Sequence, residues 1–497
     1  MGMGIDAMKK WVLVAGVAIA ALAGTVAART AMFKPDAVGD GSGITMAPPP
    51  AFDTAAAAQH LSQAVQIQTV SHQDPAENQI GEWDRLHVWL ASTYPKANAA
   101  MQRELLGKTL LYTWPGSDPA AQPIIVMAHQ DVVPVTPGTE KDWKHQPFAG
   151  EIAEGAVWGR GSVDDKGSLV ALFEALEALA GQGFKPKRTI ILVSGHDEEA
   201  GGSGAEAAAK VLASRKVKAL FTIDEGGLIA TDTPMINGPA AMIGIAEKGY
   251  ATLRVTALAT GGHSSAPPAP NEIGTINLAK AILAINAKQF PLELRGPAEG
   301  MVAVLAAKAG GVNKMAVANR WLFGGMVTGK MAASPAAAAM LHTTIAPTML
   351  TGSPKENVLP QTATALINYR IAPWNSSQDV LDRARAATKG LPVQIGWTER
   401  KPGEPSPVSS TSSPGWNLIA ATALADQPGL VVSPYLVVAG TDSKHMSGVS
   451  DDVYRFQAIS LASTDIKMIH GTNEHMTRAN LDSLIRFYAR LIATAAG

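Results

Sequence analysis

The stretch Ser194–Gly204, "SGHDEEAGGSG", sets Glu198 and Glu199 side by side, after the β-branched run "RTIILVS" and before the helical "AEAAAKVLASR". A core strand thus opens into a glycine turn that carries two like charges. Carboxylates near a core are costly unless a cation or hydrogen bonds compensate them. The pair makes chemical sense if one carboxylate holds a metal ion and the other stays free to move protons. Metal-assisted hydrolysis asks for that division, with hard ligands on the ion and a nearby base for water. Further candidates lie in "MAHQDVVPV" (His129, Asp131), "WGRGSVDDKG" (Asp164, Asp165), "TIDEGG" (Asp224) and "MIHGTNEH" (His470, His475). Asp131 follows His129 by two residues, a spacing at which a carboxylate orients an imidazole from behind. The chain has no cysteine, so any metal is held by nitrogen and oxygen. Such donors suit zinc, with manganese or cobalt as substitutes, and they suffice for a pair of ions.

The elements that must position these residues follow a βαβ rhythm. From Pro123, "PIIVMAHQDVV", "RTIILVSGHDEE" and "KALFTIDEGG" read as strands, separated by the helical "KGSLVALFEALEALAGQG" and "GAEAAAKVLASR". This predicts an α/β fold, a largely parallel central sheet with helices on both faces. The candidate residues fall at the carboxyl ends of those strands, the rim where such sheets bind ligands. After residue 247 the pattern becomes strand-helix-strand-strand-helix-strand, a small α+β domain inserted into the first. The expected organisation is therefore catalytic residues 53–246, an inserted lid or dimerisation domain over 247–402, and catalytic residues 403–497.

Composition narrows the class further. With 497 residues, 46% of them hydrophobic, and a formal net charge of −1, the chain can bury full cores and shows no basic excess for nucleic acid. Before the folded part, "MKK" leads into an apolar run from Trp11 to Ala28. Residues 1–30 read as a signal peptide or an uncleaved membrane anchor, so the protein is expected to be exported, either periplasmic or secreted, or anchored. Residues 31–52 read as a Gly/Pro linker, and Asp53 as the cap of the first helix.

At this point the chain resembles a known family. "AHQDVVPV", "WGRGSVDDKG", "GHDEEAGG", "DEGG", "GTDSKH", "YRF" and "HGTNE" occur in the order seen in di-zinc exopeptidases of the carboxypeptidase S type, relatives of glutamate carboxypeptidase, the desuccinylases and the aminoacylases. The resemblance runs from about residue 53 to the C-terminus. It implies two zinc ions per subunit, with His129 and Asp224 on one, Glu199 and His470 on the other, and Asp164 bridging both. It implies that Glu198 is the general base and that Asp131 orients His129. In the inserted domain, His263 of "TGGHSSAPP" matches the histidine that stabilises the tetrahedral oxyanion, in dimers often from the partner chain. Asn357 of "ENVLPQ" and Arg370 of "NYRIAP" match residues that grip the substrate's free carboxylate, a task suited to a forked guanidinium. The implied activity is that of a carboxypeptidase. The alternative is hydrolysis or condensation of N-acyl amino acids, and the substrate is then a small peptide or such an acyl amino acid. The Ala/Met-rich stretch over roughly residues 300–350 departs from compact lids.

Each site residue also has a bland reading. His129 alone reads as a core histidine, Asp164-Asp165 as a helix cap, Glu198-Glu199 as first-turn acids complementing a helix dipole, and Asp224-Glu225 as a solvated turn. Their joint arrival at one rim favours chemistry. Asp165, Glu225 and His475 keep the structural reading, as do His60, His72, His87, His145 and His342, while His445 lies near the family site. Two rivals compete. "GHSSA" approximates a nucleophile elbow, with Ser264 followed by Asp442 and His470 in α/β-hydrolase order, but it lacks the final glycine. A non-catalytic exported binding protein would have no need of Glu198.

Overall fold

The computed structural model describes residues 5–36, 39, 41 and 43–497. Residues 1–4 of the N-terminal segment and residues 37, 38, 40 and 42 of the expected linker lie outside it. The apolar N-terminal sequence forms one helix, Ile5–Met32, of which the stretch Lys9–Met32 is long and apolar enough to cross a membrane and is not buried in the body. Asp53 caps the first helix of the body, Thr54–Val65, by accepting the N–H groups of Ala55 and Ala56.

The catalytic body is built on one large mixed sheet. Its order is Gln102–Leu106, Thr109–Trp114, Ile190–Ser194, Ile124–Met127, Phe221–Asp224, Val453–Arg455, Gly238–Glu247, Ile229–Thr233 and Ser460–Leu461, with Val431–Val437 pairing off this path to Gly238–Glu247. The strands that carry the motifs, Ile190–Ser194, Ile124–Met127 and Phe221–Asp224, run parallel, and antiparallel pairs occur toward the margins. All three motif strands are buried along their whole length because both faces are covered, and Ile124–Met127 and residues 190–193 are accordingly continuous apolar runs. Ile124 and Val126 face the cluster built with the helices Lys166–Gly181 and Arg478–Ala496. Ile125 and Met127 face the opposite cluster with Ser203–Ser214.

The chain leaves this body at Lys248, passing from the strand Gly238–Glu247 into Gly249–Leu258 of a separate antiparallel sheet. That sheet has the order Thr344–Thr351, Thr362–Ile371, Gly249–Leu258, Val393–Trp397 and packs on the helices Gly274–Asn286 and Ser377–Ala387. The return is tied by Gly403 pairing with Tyr250 and by Ser406 N–H bonding Glu247 O. The Ala/Met-rich stretch does not join the lid core. Its helix Gly296–Ala309 buries Ala298, Met301, Val302 and Leu305 against Ala240, Met242, Val431 and Leu436 of the large sheet. Small residues let that helix lie close to the sheet.

At the crossing point Glu247 and Arg455, both fully buried, form an ion pair at 2.9 Å, and Glu247 also accepts the N–H and hydroxyl of Thr441. Removing one partner of a buried pair strands the other charge, at a cost of about 3–5 kcal/mol. Arg455→Met is therefore expected to lower resistance to urea strongly, and Glu247→Gln added to it to recover part of the loss. Recovery measured as zero in the double-mutant cycle would show that the two groups are not coupled.

Candidate active site

Parallel strands bring their carboxyl ends to the same rim, so three turns deliver the candidate side chains to one place. His129 leaves the strand Ile124–Met127, Glu198 and Glu199 follow Ile190–Ser194, and Glu225 follows Phe221–Asp224. Two groups of side chains that could hold a metal ion form there: His129, Asp164 and Glu225, and Asp164, Glu199 and His470. Asp164 belongs to both. One of its oxygens lies 2.9 Å from His129 Nε2 and the other 3.2 Å from His470 Nε2. Glu225 Oε1 is 3.6 Å from His129 Nε2, and Glu199 Oε1 is 3.1 Å from His470 Nε2.

Asp224, expected from the resemblance to be a ligand, is turned elsewhere. Its carboxylate accepts the N–H of Ser443 at 2.9 Å, and Glu225 takes the place beside His129. Consecutive residues at a strand end project to opposite sides, so only one of the two can reach over the rim. Asp165 also stays behind the site, accepting the N–H of His129 at 3.2 Å and an amide proton of Gln457 at 2.9 Å. His475 stacks on Trp158, with ring centroids 4.2 Å apart, and takes no part in either group.

The supports are as specific as the ligands. His129 Nδ1 donates to the main-chain carbonyl of Asp131 at 3.0 Å, with the buried Asp131 carboxylate 3.3 Å away, which leaves Nε2 to face the site. The same carboxylate accepts the N–H groups of Glu198 and Glu199, each at 3.1 Å, and so fixes the turn that carries both. Glu474, in "HGTNEH" but unmarked as a candidate by its sequence, accepts the N–H groups of Gly161, Val163 and Asp164 and pairs with Arg160 at 2.6 Å. It thereby holds the Asp164 loop. Asp442 packs under the glutamate turn, where a Cβ at Gly195 or Gly202 would collide with its carboxyl oxygens. Gly202 is also left-handed, with φ of 76°, so two independent constraints require glycine there.

Electrostatics describe a site short of positive charge. Burial pushes Glu198 well up, against the pull of His129, and the charges of Asp442 and Glu199 push it further. Burial, followed by the charge of Asp164, raises Glu199 and Glu225 as well. Hydrogen bonds to Asp164 and Glu199 hold the His470 imidazole up at about 10. Crowded carboxylates with two imidazoles and no thiolate are the donor chemistry that divalent cations fit. Glu198 belongs to neither ligand group, and its side chain remains available beside them.

The lid residues sit apart from this cluster in different ways. Exposed His263 is bonded through Nδ1 to the hydroxyl of Ser265 at 2.8 Å. His263 pairs with Val358, next to Asn357, whose side-chain oxygen is buried without a partner. Arg370 lies over the Tyr250 ring at 4.8 Å, and no carboxylate pairs with it among the described residues. Burial lowers its proton affinity, and Tyr250 and Glu198 oppose that effect.

Fold and site together define a metal-dependent hydrolase of peptide or amide bonds. The sequence pattern of peptidase family M20/M25/M40 matches residues 125–494, and the chain belongs to that family. It is 34% identical over 442 residues to a probable carboxypeptidase S-like protein of Dictyostelium discoideum, covering 88% of this chain and 84% of that one. Identity to the human N-fatty-acyl-amino acid synthase/hydrolase PM20D1 is 32%, over 88% of this chain and 87% of that one. Yeast carboxypeptidase S (Saccharomyces cerevisiae) is also 32% identical, over 84% and 80% of the two chains. In fold, the chain resembles a family M20 metallo-carboxypeptidase from Sulfolobus solfataricus, with a TM-score of 0.63 at 17% identity over 88% of this chain and 98% of that one. Human carnosine dipeptidase 1 gives a TM-score of 0.62 at 14% identity, over 89% and 96%.

The adjacent acids Asp224 and Glu225 are expected to separate on mutation. Glu225→Gln should lower bound metal measured by elemental analysis, while Asp224→Asn should keep more of it and lose mainly thermal stability. Equal metal loss in both would return Asp224 to the ligand set.

Proposed function

We propose that this protein is an exported, zinc-dependent exopeptidase acting as a carboxypeptidase, with two ions held through a shared Asp164. The observation that carries this reading is the pair of ligand groups meeting at Asp164, with Glu198 beside them and committed to neither. His129, Asp164 and Glu225 would hold one ion, and Asp164, Glu199 and His470 the other. Bound there, divalent cations neutralise the carboxylates and polarise water and the scissile carbonyl. Cobalt or manganese can take the same donors.

The chain's own residues do the rest. Glu198 takes a proton from the attacking water and passes it to the leaving nitrogen, a role suited to a buried carboxyl whose proton affinity is raised. Asp131 keeps His129 in one tautomer and the glutamate turn in one position. Arg370 and Asn357 bind the free carboxylate of the substrate, and His263 stabilises the oxyanion. The exposure of His263 suits donation into a second subunit's cleft, which makes a homodimer the working assembly. The Ile5–Met32 helix is read as an uncleaved anchor that tethers the enzyme outside the cytosol.

A second reading rests on the relatives named N-fatty-acyl-amino acid synthase/hydrolase, which are as similar to this chain as carboxypeptidase S is. N-acyl amino acids present the same amide and the same free carboxylate to the same groups. Turnover of a panel of dipeptides and N-acyl amino acids by the purified protein separates the two.

Glu198→Gln is expected to keep its metal while kcat falls by at least about 10²-fold, the scale of a lost general base. Glu199→Gln should instead lose metal, because an amide is a poorer, neutral ligand. Matching metal loss in both variants would contradict the division of roles.

For Arg370, the comparison is a dipeptide against its C-terminal amide. Charge-assisted hydrogen bonds contribute about 1.5–3 kcal/mol. Arg370→Ala should therefore cut kcat/KM for the free acid by at least about tenfold and leave the already poor amide nearly unchanged. Arg370→Lys should fall between. An equal loss on both substrates would assign Arg370 to lid structure.

A further inference from the structure

We infer that the helices Gly311–Ala318 and Arg320–Ala332 form a surface that lies on an anionic lipid bilayer beside the N-terminal helix. The inference rests on the anchor reading of that helix and extends it from a tether to an oriented docking face.

The first support is register. A hydrocarbon core of about 30 Å takes about 20 helical residues. Lys9, Lys10 and Trp11 mark one boundary in the manner of interfacial residues, which puts the other near Arg29 and Thr30, with Val26 about one turn inside it. The body grips the helix at those residues. Asn319 Nδ2 donates to Val26 O at 3.3 Å and to Thr30 Oγ1 at 3.1 Å, and Arg29 Nε donates to Ala318 O at 3.4 Å. The junction of the two surface helices is thereby held at the level of the lipid headgroups.

The second support is what these helices expose. Trp321 is 56%, Leu322 45% and Met326 55% accessible on one face of Arg320–Ala332, and Val312 on the neighbouring helix is 70% accessible. Apolar and aromatic side chains of this kind suit the boundary between headgroup and acyl chain. The third support is charge. From Gly300 to Lys355 the sequence contains no Asp or Glu, while it contains Lys308, Lys314, Arg320 and Lys330. Arg320 pairs with Glu299, but Lys308, Lys314 and Lys330 have no carboxylate partner among the described residues. Lysines around an apolar face attract anionic headgroups. A second copy presenting the same face would meet like charge, which disfavours self-association there.

The absence of cysteine allows single labels with no background. The full chain, carrying Leu322→Cys or Met326→Cys with an environment-sensitive fluorophore, is reconstituted into vesicles of phosphatidylethanolamine and phosphatidylglycerol. Val17→Cys in the N-terminal helix and exposed Ser214→Cys on the catalytic body serve as references. Spin-labelled lipid is expected to quench positions 322, 326 and 17 at least about twofold more than position 214, as for side chains at or below the headgroups. Quenching at 17 with none at 322 and 326 would overturn the docking face and leave the anchor standing. No quenching at 17 would refute the anchor, and the docking inference with it. Replacing Lys308, Lys314 and Lys330 by Gln should reduce quenching at 322, as should vesicles of phosphatidylcholine alone. Quenching unchanged by both would overturn the choice of an anionic surface.

Discussion

Crowding of negative charge at one sheet rim is the constraint on which the rest of this structure depends. Asp131, Asp164, Asp165, Glu198, Glu199, Asp224, Glu225 and Asp442 converge there, most of them largely withdrawn from water. Two like charges 4 Å apart repel by about 4 kcal/mol at the effective dielectric of a partly buried site. Desolvation adds to that for every group. The fold divides most of the carboxylates into those satisfied by backbone N–H groups and those directed at a common point, while Asp442 is buried with neither oxygen hydrogen-bonded.

The satisfied ones are held by backbone N–H groups, which supply fixed positive dipoles without a competing side chain. Asp131 receives the amides of Glu198 and Glu199, Asp224 that of Ser443, and Asp165 that of His129. Glu474 receives three consecutive-loop amides around Asp164 and the guanidinium of Arg160. Each contact fixes a turn that carries a candidate ligand, so backbone hydrogen bonds set where those side chains stand. Preorganisation of this kind is what metal-assisted hydrolysis requires of a protein.

Outside the rim, the structure separates tasks along the chain. The large sheet positions the charged cluster, the four-stranded lid sheet carries Arg370, a separate two-stranded ladder carries His263, and the Glu247–Arg455 pair pins the crossing. The Ala/Met-rich helices pack on the catalytic sheet and meet the N-terminal helix at Asn319. The peptide and acyl-amino-acid readings share the same hydrolytic groups. Discrimination between them belongs to the cleft walls.

The sequence by itself determined the local features. Apolar runs ending in "HQD", "HDEE" and "DEGG" placed strand ends, glycine turns and charges in one order, and the βαβ rhythm brought them to one rim. His129, Asp164, Glu199 and His470 could be singled out because strand, turn and chemistry coincide in short motifs. Tertiary structure decided what spacing leaves open. Asp224 and Glu225 are neighbours in sequence, and the path of the backbone over the rim, with Ser443 waiting on one side, selects which reaches His129. Glu474 and Asp442 lie in the motifs "HGTNE" and "GTDSKH", but they act on turns more than two hundred residues away, so spacing alone does not assign their contacts. A run of alanine and methionine says that a helix can pack closely. Only the fold says that its surface is the catalytic sheet, because burial depends on which face another part of the chain leaves uncovered.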